Sequence, residues 1–409
     1  MAYTELDMDI SPELKAMKKE IGNFARKVMR PAGIELDKLQ NPEDVYAKDS
    51  VLWDVFKATR AMQLHTLSIP KAFGGLASDK PDPKTSGVLY EEFGYGDIGL
   101  TISMGGSSPF RLAAASQDPK LHQVVKDYVN DTEADMIGCW AITEPSRGSD
   151  FVQSADPDFN DPKCTPELRA ELKGDEYILN GQKAAWVSNG TIATHASVHV
   201  NIDPSKGMQG NGLAFVPLDL PGVRKGKPLN KIGQRSLNQG EIFFEEVKIP
   251  KSYMVVSDPK QMQVMMRDIL TAANGGMGQT FVGLAQAAYD EALTYAKQRV
   301  QGGVPIFEHK NIQLQLFNMF IKVEAARAYA RRMAAHNAVN PPGLLHYAIA
   351  AKVLSTRTAY EVANEALTIF GGNGLTAEYP IEKMFRDARA GMIEDGENNT
   401  LSLMGAKHL

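Results

Sequence analysis

The sequence predicts an α+β fold that is mainly helical and built in three parts. Apolar residues recur at helical spacing in the first third, for example Leu14 and Ile21. Short β-rich runs separated by turn residues follow, and the helical period then returns over long spans. We therefore predict an N-terminal helical domain over residues 1–137, a central β-domain over 138–250 and a C-terminal helical bundle over 251–409.

The first part carries clear helix punctuation. Ser11 can cap a helix through its hydroxyl, and Pro12 fits the first helical position because no amide donor is needed there. Clusters of Pro and Gly at residues 69–75 break the helical pattern, which resumes and continues to about Ile137. Several helices are therefore expected in this part.

The second part has the composition of short strands. Asn180-Gly181 is a strong hairpin signal, so we predict a turn there. The acidic, Pro-containing stretch at residues 155–171 is interpreted as a loop inserted between the first strands. The predicted strands include residues 176–179, 196–202, 212–218 and 241–249.

The third part has two apolar stripes at helical spacing. Long helices with few breakers favour a bundle, and such stripes normally face its core. We therefore expect these residues to be buried scaffold rather than ligand contacts. They are Phe281, Leu284, Ala288, Ala292 and Tyr295 on one stripe, and Ile312, Leu316, Phe320, Val323 and Ala330 on the other.

Composition excludes several classes of function. The formal net charge of -5 comes from interspersed charges, so the basic patch of a nucleic-acid-binding protein is missing. Cys139 and Cys164 are too few for a disulfide framework or a zinc site, and no metal is expected. No apolar run is long enough to cross a bilayer, and the first residues lack the pattern of a signal or transit peptide. We expect a cytoplasmic protein whose partner is a small molecule.

Polar and Gly-rich segments are the candidates for chemistry. Residues 143–150, TEPSRGSD, can bind a planar or anionic ligand but also suit a plain hairpin turn. Residues 183–190, KAAWVSNG, place Trp186 near hydroxyls, although Trp186 could equally be core. The GGNG string from Gly371 can present amides to a phosphate or cap a helix. It is not a dinucleotide-binding fingerprint, because no strand precedes it.

Six segments occur in a specific order: WAITEPSRGSD from Trp140, KAAWVSNG from Lys183, KIGQRS from Lys231, FFEEVKIP from Phe243, YAKQR from Tyr295 and FGGNGLTAEYPIEKMFRDAR from Phe370. With this order the chain resembles the acyl-CoA dehydrogenase family over essentially its whole length. The resemblance implies an N-terminal helical domain, a central β-barrel-like domain and a C-terminal four-helix bundle. It also implies a homotetramer that is a dimer of dimers, or a homodimer.

The resemblance implies FAD as the cofactor. Trp186 would pack near the isoalloxazine ring, and Thr143 and Ser188 would give hydrogen bonds that tune its electronics. On the adenine side, Gly302-Gly303 stands where the family often has Phe-Gly. The residues implied at the ring are Trp140, Ile142, Thr143, Gly148, Ser149, Trp186 and Ser188, and those implied for the rest of FAD are Arg299, His309, Thr368, Gly371, Gly372, Glu397 and Asn399.

The catalytic base implied by the resemblance is Asp395. The family usually has Glu in a Tyr-Glu-Gly-Thr segment after Arg-Asp-Ala, and counting on from Arg386 brings Asp395 to that position. A carboxylate there takes the proton alpha to the thioester while hydride leaves the beta carbon for the flavin. Asp is shorter by roughly 1.5 Å, one carbon–carbon bond, which favours an unusual substrate. Glu394, Glu397 and Asp97 are the alternative bases.

The expected substrate is an acyl-CoA, with electron-transfer flavoprotein as the electron acceptor. By resemblance, Ser149 and Gly105 fall at the substrate site, and Gly105 with Gly106 favours a wide pocket for a branched, cyclic or bulky acyl group. An Arg that the family has near Asn274 is absent. Two alternatives remain: a nitroalkane oxidase-like flavoenzyme that uses Asp as its base, and a flavin-free scaffold member of the family.

Overall fold

The computed structural model describes residues 4–7, 9–78, 82–154 and 156–409. The chain folds into two compact units, each assembled from three stretches of sequence. The stretches of the two units alternate along the chain, because each unit is made of residues that contact one another. The three predicted parts are instead continuous in sequence and differ in their type of secondary structure. Unit 1 comprises Met1–Ile34, Lys80–Ile98 and Thr271–Met392, and unit 2 comprises Glu35–Asp79, Gly99–Leu270 and Ile393–Leu409.

Helices dominate both ends of the sequence, as predicted. Within the described residues, seven α-helices precede the first strand, and the longest three, of 40, 30 and 26 residues, follow the sheet. The α-helices of the described residues are α1 Pro12–Phe24, α2 Arg30–Asp37, α3 Val51–Ala61, α4 Thr85–Gly96, α5 Ile98–Met104, α6 Ser108–Ala114, α7 Pro119–Val129, α8 Pro259–Gln298, α9 Lys310–Val339, α10 Leu345–Phe370, α11 Ile381–Gly391 and α12 Asn398–Ala406.

In the part of the chain that the structure describes, the strands form one mixed eight-stranded sheet in unit 2 and a short hairpin in unit 1. Along the sheet the order is β6-β7-β3-β2-β4-β5-β8, and β1 pairs in parallel with β4. The strands are β1 Gly138–Ala141, β2 Arg169–Lys173, β3 Glu176–Ser188, β4 His195–Asn201, β5 Asn211–Pro217, β6 Val223–Pro228, β7 Gln239–Pro250 and β8 Met254–Val256, with β9 Val300–Gln301 and β10 Val304–Pro305 in the hairpin.

Unit 1 is a helical bundle with a buried polar link. The expected cap is present, since Ser11 Oγ accepts from the Leu14 amide at 3.1 Å and begins α1. Arg327 on α9 donates to Glu91 on α4 at 2.7 Å, and both side chains are at most 10% exposed. Neighbouring core residues on α9 and α10 are Met333, Ala334, Ala348 and Ala351.

The predicted apolar stripes are buried over most of their length. Phe281, Leu284, Leu316 and Val323 are each less than 5% exposed. Phe320 is 40% exposed, so the prediction that it lies in the core is wrong. It belongs to an apolar face of α9 with Leu314, Phe317 and Ile321, which are 62%, 60% and 49% exposed.

The hairpin predicted at Asn180-Gly181 is also wrong. Both residues lie inside β3, and the turn between β2 and β3 falls at residues 174–175. Gly181 is needed for a bulge, because its φ is +135° and a Cβ there would lie 2.8 Å from Leu168 Cα. Asn180 Oδ1 instead accepts from the Glu246 amide at 2.8 Å, on the neighbouring strand.

The insertion at 155–171 consists of short turns before a strand. It contains two 3-10 turns, Pro157–Phe159 and Pro162–Cys164, and its last residues belong to β2. Ala155 lies outside the described residues. Thr165 Oγ1 donates to Pro204 O at 2.9 Å, which joins the insertion to the turn before β5.

Candidate active site

The TEPSRGSD loop, residues 143–150, follows β1. It is closed by two backbone hydrogen bonds between Glu144 and Arg147, each 3.0 Å long. The Gly148 amide donates to Asp150 Oδ1 at 2.7 Å, and a Cβ at Gly148 would meet no atom within 4 Å. A 3-10 turn, Ser149–Gln153, comes next. Residues 144–147 thus form a tight antiparallel turn, as the hairpin alternative predicted, and Gly148 beside it faces open space.

Trp140, at the end of β1, is held from within the sheet. Its Nε1 donates to Nε2 of His199 on β4 at 2.8 Å. His199 is 1% exposed, and burial together with the Lys183 charge lowers its pKa to about 3. His199 is therefore neutral near pH 7, so its Nε2 can accept this bond.

A buried ion pair lies beneath the same segment. Lys183 Nζ on β3 donates to Glu144 Oε1 at 2.7 Å, and neither side chain is exposed. Lys183 Nζ also donates to Ile142 O at 3.0 Å. Burial lowers the pKa of Lys183, and the Glu144 carboxylate opposes that shift. The charged residues thus bind the main chain of the TEPSRGSD loop to β3.

Trp186 and Ser188 lie at the far end of β3. Trp186 is 58% exposed, so the alternative that it is a core residue is excluded. A register shift between Lys183 and Val187 marks an irregularity in the pairing of this stretch with β7. Gln239 Nε2 donates to Trp186 O at 3.4 Å and to Ser188 Oγ at 3.3 Å. The pair therefore presents an exposed indole beside a serine hydroxyl.

The segment before α12 carries three acidic residues with different surroundings. Glu394 accepts from Gln234 Nε2 at 2.6 Å. Glu397 is the N-cap of α12, and its Oε2 accepts the amides of Asn399 and Thr400 at 2.9 and 3.0 Å. Between them, Asp395 has a φ of +53°, in the left-handed region that few residues other than Gly adopt.

Ser149 and Glu397, which the family resemblance implied as site residues from different motifs, are in contact in unit 2. The amide of Glu397 donates to Ser149 Oγ at 3.0 Å, so the segment before α12 is attached to the end of the TEPSRGSD loop. The hydroxyl of Ser149, the cap of α12 and Asp395 therefore occupy one neighbourhood, although 248 positions separate Ser149 from Glu397.

Asp97 is buried in unit 1 and ion-paired. Its Oδ2 accepts from Lys383 Nζ at 2.6 Å, and Lys383 also donates to Asp387 on the same helix, α11. The side chains of Asp97 and Asp387 are 3% and 2% exposed. One ammonium shared by two carboxylates is a structural arrangement, which favours the scaffold interpretation of Asp97.

Five of the seven residues implied for the rest of FAD line a cavity of about 390 Å³ in unit 1, whereas Glu397 and Asn399 lie at the start of α12 in unit 2. Gly371, with φ +60°, ends α10, and the GGNG string then forms the short 3-10 helix Gly371–Leu375 before α11 begins at Ile381. His309 Nε2 lies 3.0 Å from Gln301 O. The implied residues among the cavity lining are Arg299, His309, Thr368, Gly371 and Gly372.

Several residues of these sites were not singled out from the sequence. Asn311 and Asn373 line the cavity, and Asn373 Nδ2 donates to Tyr295 Oη at 2.9 Å. Lys183, Glu144 and His199 support the TEPSRGSD loop from inside. They could have been found from the sequence as charged or imidazole side chains in otherwise apolar segments. Such a side chain needs a hydrogen-bond or ionic partner when it is buried.

Other kinds of site are missing from the described part of the chain. No group of His, Cys, Asp and Glu there could hold a metal ion. Likewise, none of its helices combines the length and apolarity that crossing a membrane requires.

Comparison with known proteins gives consistent matches. The middle domain of acyl-CoA dehydrogenases matches residues 139–247, and their C-terminal domain matches residues 262–409. The mitochondrial short-chain specific acyl-CoA dehydrogenase of Rattus norvegicus is 28% identical over 97% of this chain and 90% of its own. The probable acyl-CoA dehydrogenase YngJ of Bacillus subtilis is 28% identical over 99% of this chain and 100% of its own.

Solved structures agree on the fold. Butyryl-CoA dehydrogenase from Megasphaera elsdenii superimposes with a TM-score of 0.84 at 24% identity, covering 98% of this chain and 99% of the other. The two matched domains together cover more than half of the sequence. This chain therefore belongs to the acyl-CoA dehydrogenase family, whose members are FAD-dependent oxidoreductases.

Proposed function

We propose that this chain binds FAD and desaturates an acyl thioester between its alpha and beta carbons, with Asp395 as the base. The observation that carries the proposal is the backbone of Asp395, whose φ of +53° is followed by a φ of +102° at Gly396. Left-handed backbone at a residue other than Gly costs energy and concentrates at functional sites. Asp tolerates it better than most residues, so the strained turn is compatible with a carboxylate presented at its tip.

Each unit, taken by itself, has residues that suit a part of FAD. An exposed indole beside a serine hydroxyl, at Trp186 and Ser188, offers a face for a planar ring and a hydrogen-bonding group. The cavity with Arg299 and His309 offers a guanidinium and an imidazole, the donor types that a pyrophosphate needs. When bound, FAD would accept the hydride. Trp140, Ile142, Thr143, Gly148 and Ser149 would border the ring, and Thr368, Gly371, Gly372, Glu397 and Asn399 would contact the remainder.

The surroundings of the other carboxylates favour Asp395 as the base. Glu397 accepts two amides at the start of α12, and Glu394 accepts from Gln234. Asp97 is paired with Lys383. Each of these groups already holds structure through the bonds that it accepts, and protonation would weaken those bonds. Asp395 would remove the alpha proton, and the desolvation that substrate brings would raise its proton affinity.

We also propose an acyl group that approaches Asp395 more closely than a straight chain approaches the usual Glu. A reach shorter by roughly 1.5 Å must be compensated, since about 1 Å of misplacement can cost on the order of a hundredfold in rate. A branched or cyclic acyl group fits this demand. Gly105 is exposed, whereas a Cβ at Gly106 would lie 2.4 Å from Gly138 O, so close packing on β1 already explains Gly106.

The proposed partners follow the family. Acyl-CoA would be the substrate, electron-transfer flavoprotein the electron acceptor, and the assembly a homotetramer. The exposed apolar face of α9, with Leu314, Phe317 and Ile321, supports an assembly of copies, because large apolar patches on isolated chains usually mark contacts.

Activity of purified Asp395→Asn toward a panel of acyl-CoAs, with a dye as electron acceptor, tests the base. We expect a loss of about 10²–10⁴-fold with FAD retained, because the carboxamide keeps the shape of Asp but cannot take a proton. Glu394→Gln is the matched control and should remain within about fivefold of the unsubstituted enzyme. Full activity of Asp395→Asn would refute the assignment.

The same preparation separates the rival functions. A colourless protein without flavin absorbance would support the scaffold alternative. Oxygen consumption with a nitroalkane, combined with no dye-linked oxidation of any acyl-CoA, would support the nitroalkane oxidase-like alternative. Faster turnover of alicyclic or branched thioesters than of butyryl-CoA would support the proposed acyl group, and the reverse order would contradict it.

A further inference from the structure

The ion pair between Lys183 and Glu144 is unusual because it is wholly buried. Both side chains have no exposed surface, and their atoms lie 2.7 Å apart. Taking two charges out of water carries a large desolvation cost, and well-packed apolar residues of similar volume often give equal or greater stability. The pair therefore calls for a reason other than stability, and its hydrogen bonds to the main chain provide one.

Lys183 and its strand fix two successive peptide groups of the TEPSRGSD segment. Lys183 Nζ donates to Ile142 O at 3.0 Å, and the amide of the next residue on β3, Ala184, donates to Thr143 O at 2.9 Å. In a trans peptide the carbonyl and the following amide point in opposite directions. Since the carbonyl of Ile142 points at the buried ammonium, the amide of Thr143 points away from the interior.

Glu144 extends the same network to the inserted segment. Its Oε1 also accepts the Leu168 amide at 3.2 Å, and its Oε2 accepts the Glu167 amide. Ser146 Oγ donates to Glu167 Oε1 at 2.5 Å. The carboxylate thus has a donor for each oxygen besides Lys183, which holds it, and hence the ammonium, in one place.

We propose that Lys183 is a positioning residue that aims the backbone amide of Thr143 at the flavin. The inference rests on the proposed function, in which Thr143 borders the ring. The ammonium does not touch the cofactor; it orients the peptide group that does. Replacing the ion pair with neutral side chains should then loosen the Ile142–Thr143 peptide and weaken FAD binding, even where the fold is retained.

The double variant K183M/E144Q tests this role without leaving a buried charge unpaired. The carboxamide oxygen that E144Q introduces can accept only one of the Glu167 and Leu168 amides, so the variant loses the other of these bonds as well as the bond to Ile142 O. Hydrogen exchange at the Thr143 amide reports on the second loss. We expect the FAD dissociation constant, measured by flavin fluorescence on reconstituted apoprotein, to rise at least about tenfold. Hydrogen exchange at the Thr143 amide in the apoprotein should become faster.

The matched control is R60M/D131N in the same unit. Arg60 Nε donates to Asp131 Oδ2 at 3.1 Å and Arg60 Nη2 to Met136 O at 2.8 Å, with side chains 3% and 6% exposed. This buried cation also holds a carboxylate and a carbonyl, but outside the TEPSRGSD loop. We expect it to lose comparable stability in thermal unfolding while its FAD dissociation constant stays within about threefold.

The outcomes distinguish a failure of the role assigned to Lys183 from a failure of the proposed function. FAD binding by K183M/E144Q equal to the unsubstituted protein, or an equal loss in R60M/D131N, overturns the role of Lys183 and leaves the proposed function standing. An unsubstituted protein that binds no FAD refutes the proposed function itself. If K183M/E144Q does not fold, K183M/E144M, which also removes the donor to Ile142 O and leaves no buried charge unpaired, takes its place under the same criteria.

Discussion

Glu397→Gln tests whether Glu397 is only the cap of α12 or is also the catalytic base. In the structure Glu397 caps α12, and Oε2 accepts the amides of Asn399 and Thr400 at 2.9 and 3.0 Å. A carboxamide oxygen can replace these bonds but brings no charge to the helix N-terminus. If Glu397 only caps, the substitution should destabilise the protein slightly and leave the chemical step intact.

The expected loss of stability in Glu397→Gln can be calculated from the interaction of its carboxylate with the start of α12. The interaction of a carboxylate with a helix N-terminus contributes about 0.3–1 kcal/mol, and charge-assisted hydrogen bonds are about twice as strong as neutral ones. We therefore expect a loss of about 1 kcal/mol, which in a chain of this size lowers Tm by about 2 °C or less. The value of kcat should change less than about fivefold, against about 10²–10⁴-fold for loss of a general base.

Asp118→Asn is the matched control for this experiment. Asp118 is also an acidic N-cap in unit 2, and it accepts the Lys120 amide at 2.8 Å at the start of α7. Thermal unfolding and dye-linked steady-state kinetics should show similar small losses of Tm in both variants. A fall in kcat of a hundredfold or more in Glu397→Gln, with FAD retained, would refute the cap interpretation and move the base from Asp395 to Glu397.

Two further predictions concern stability and assembly. Burial and the nearby Arg60 charge lower the pKa of His65 to about 4. As pH falls below about 6.5, the unfolded chain therefore takes up the proton first and the stability of the folded chain decreases. His65→Phe should make Tm depend less on pH between about 6.5 and 4, and an unchanged profile would contradict this. Phe317→Glu should reduce the oligomer size in analytical ultracentrifugation, whereas Val264→Glu, at a similarly exposed residue of α8, should not. If Phe317→Glu sediments like the unsubstituted chain, α9 is not the contact surface.

Local signals in the sequence predicted much of the fold. The cap at Ser11, the run of strands after residue 138 and the long helices after Pro250 each depend on neighbouring residues, and the structure has all three. The family resemblance also brought together Arg299 and His309, which line one cavity. Short-range preference and an ordered set of motifs are sufficient for features of this kind.

Features that depend on distant partners could not be predicted in this way. Asn180-Gly181 has the composition of a turn, but pairing with β7 places it inside a strand. Phe320 has the spacing of a core residue, yet its exposure depends on what lies outside the helix. The partners of Lys183 and the left-handed backbone of Asp395 likewise arise from contacts between remote segments.

The interleaving of the two units has a consequence for how activity arises during folding. Residues 393–409 belong to unit 2, but the preceding stretch of that unit ends at Leu270, and 271–392 belong to the other unit. Joining segments so far apart in sequence is slow, because a long loop must close before its contacts form. The bond between the Glu397 amide and Ser149 Oγ spans 248 positions, so we expect Asp395 and the cap of α12 to reach their places only after these distant stretches of unit 2 have come together.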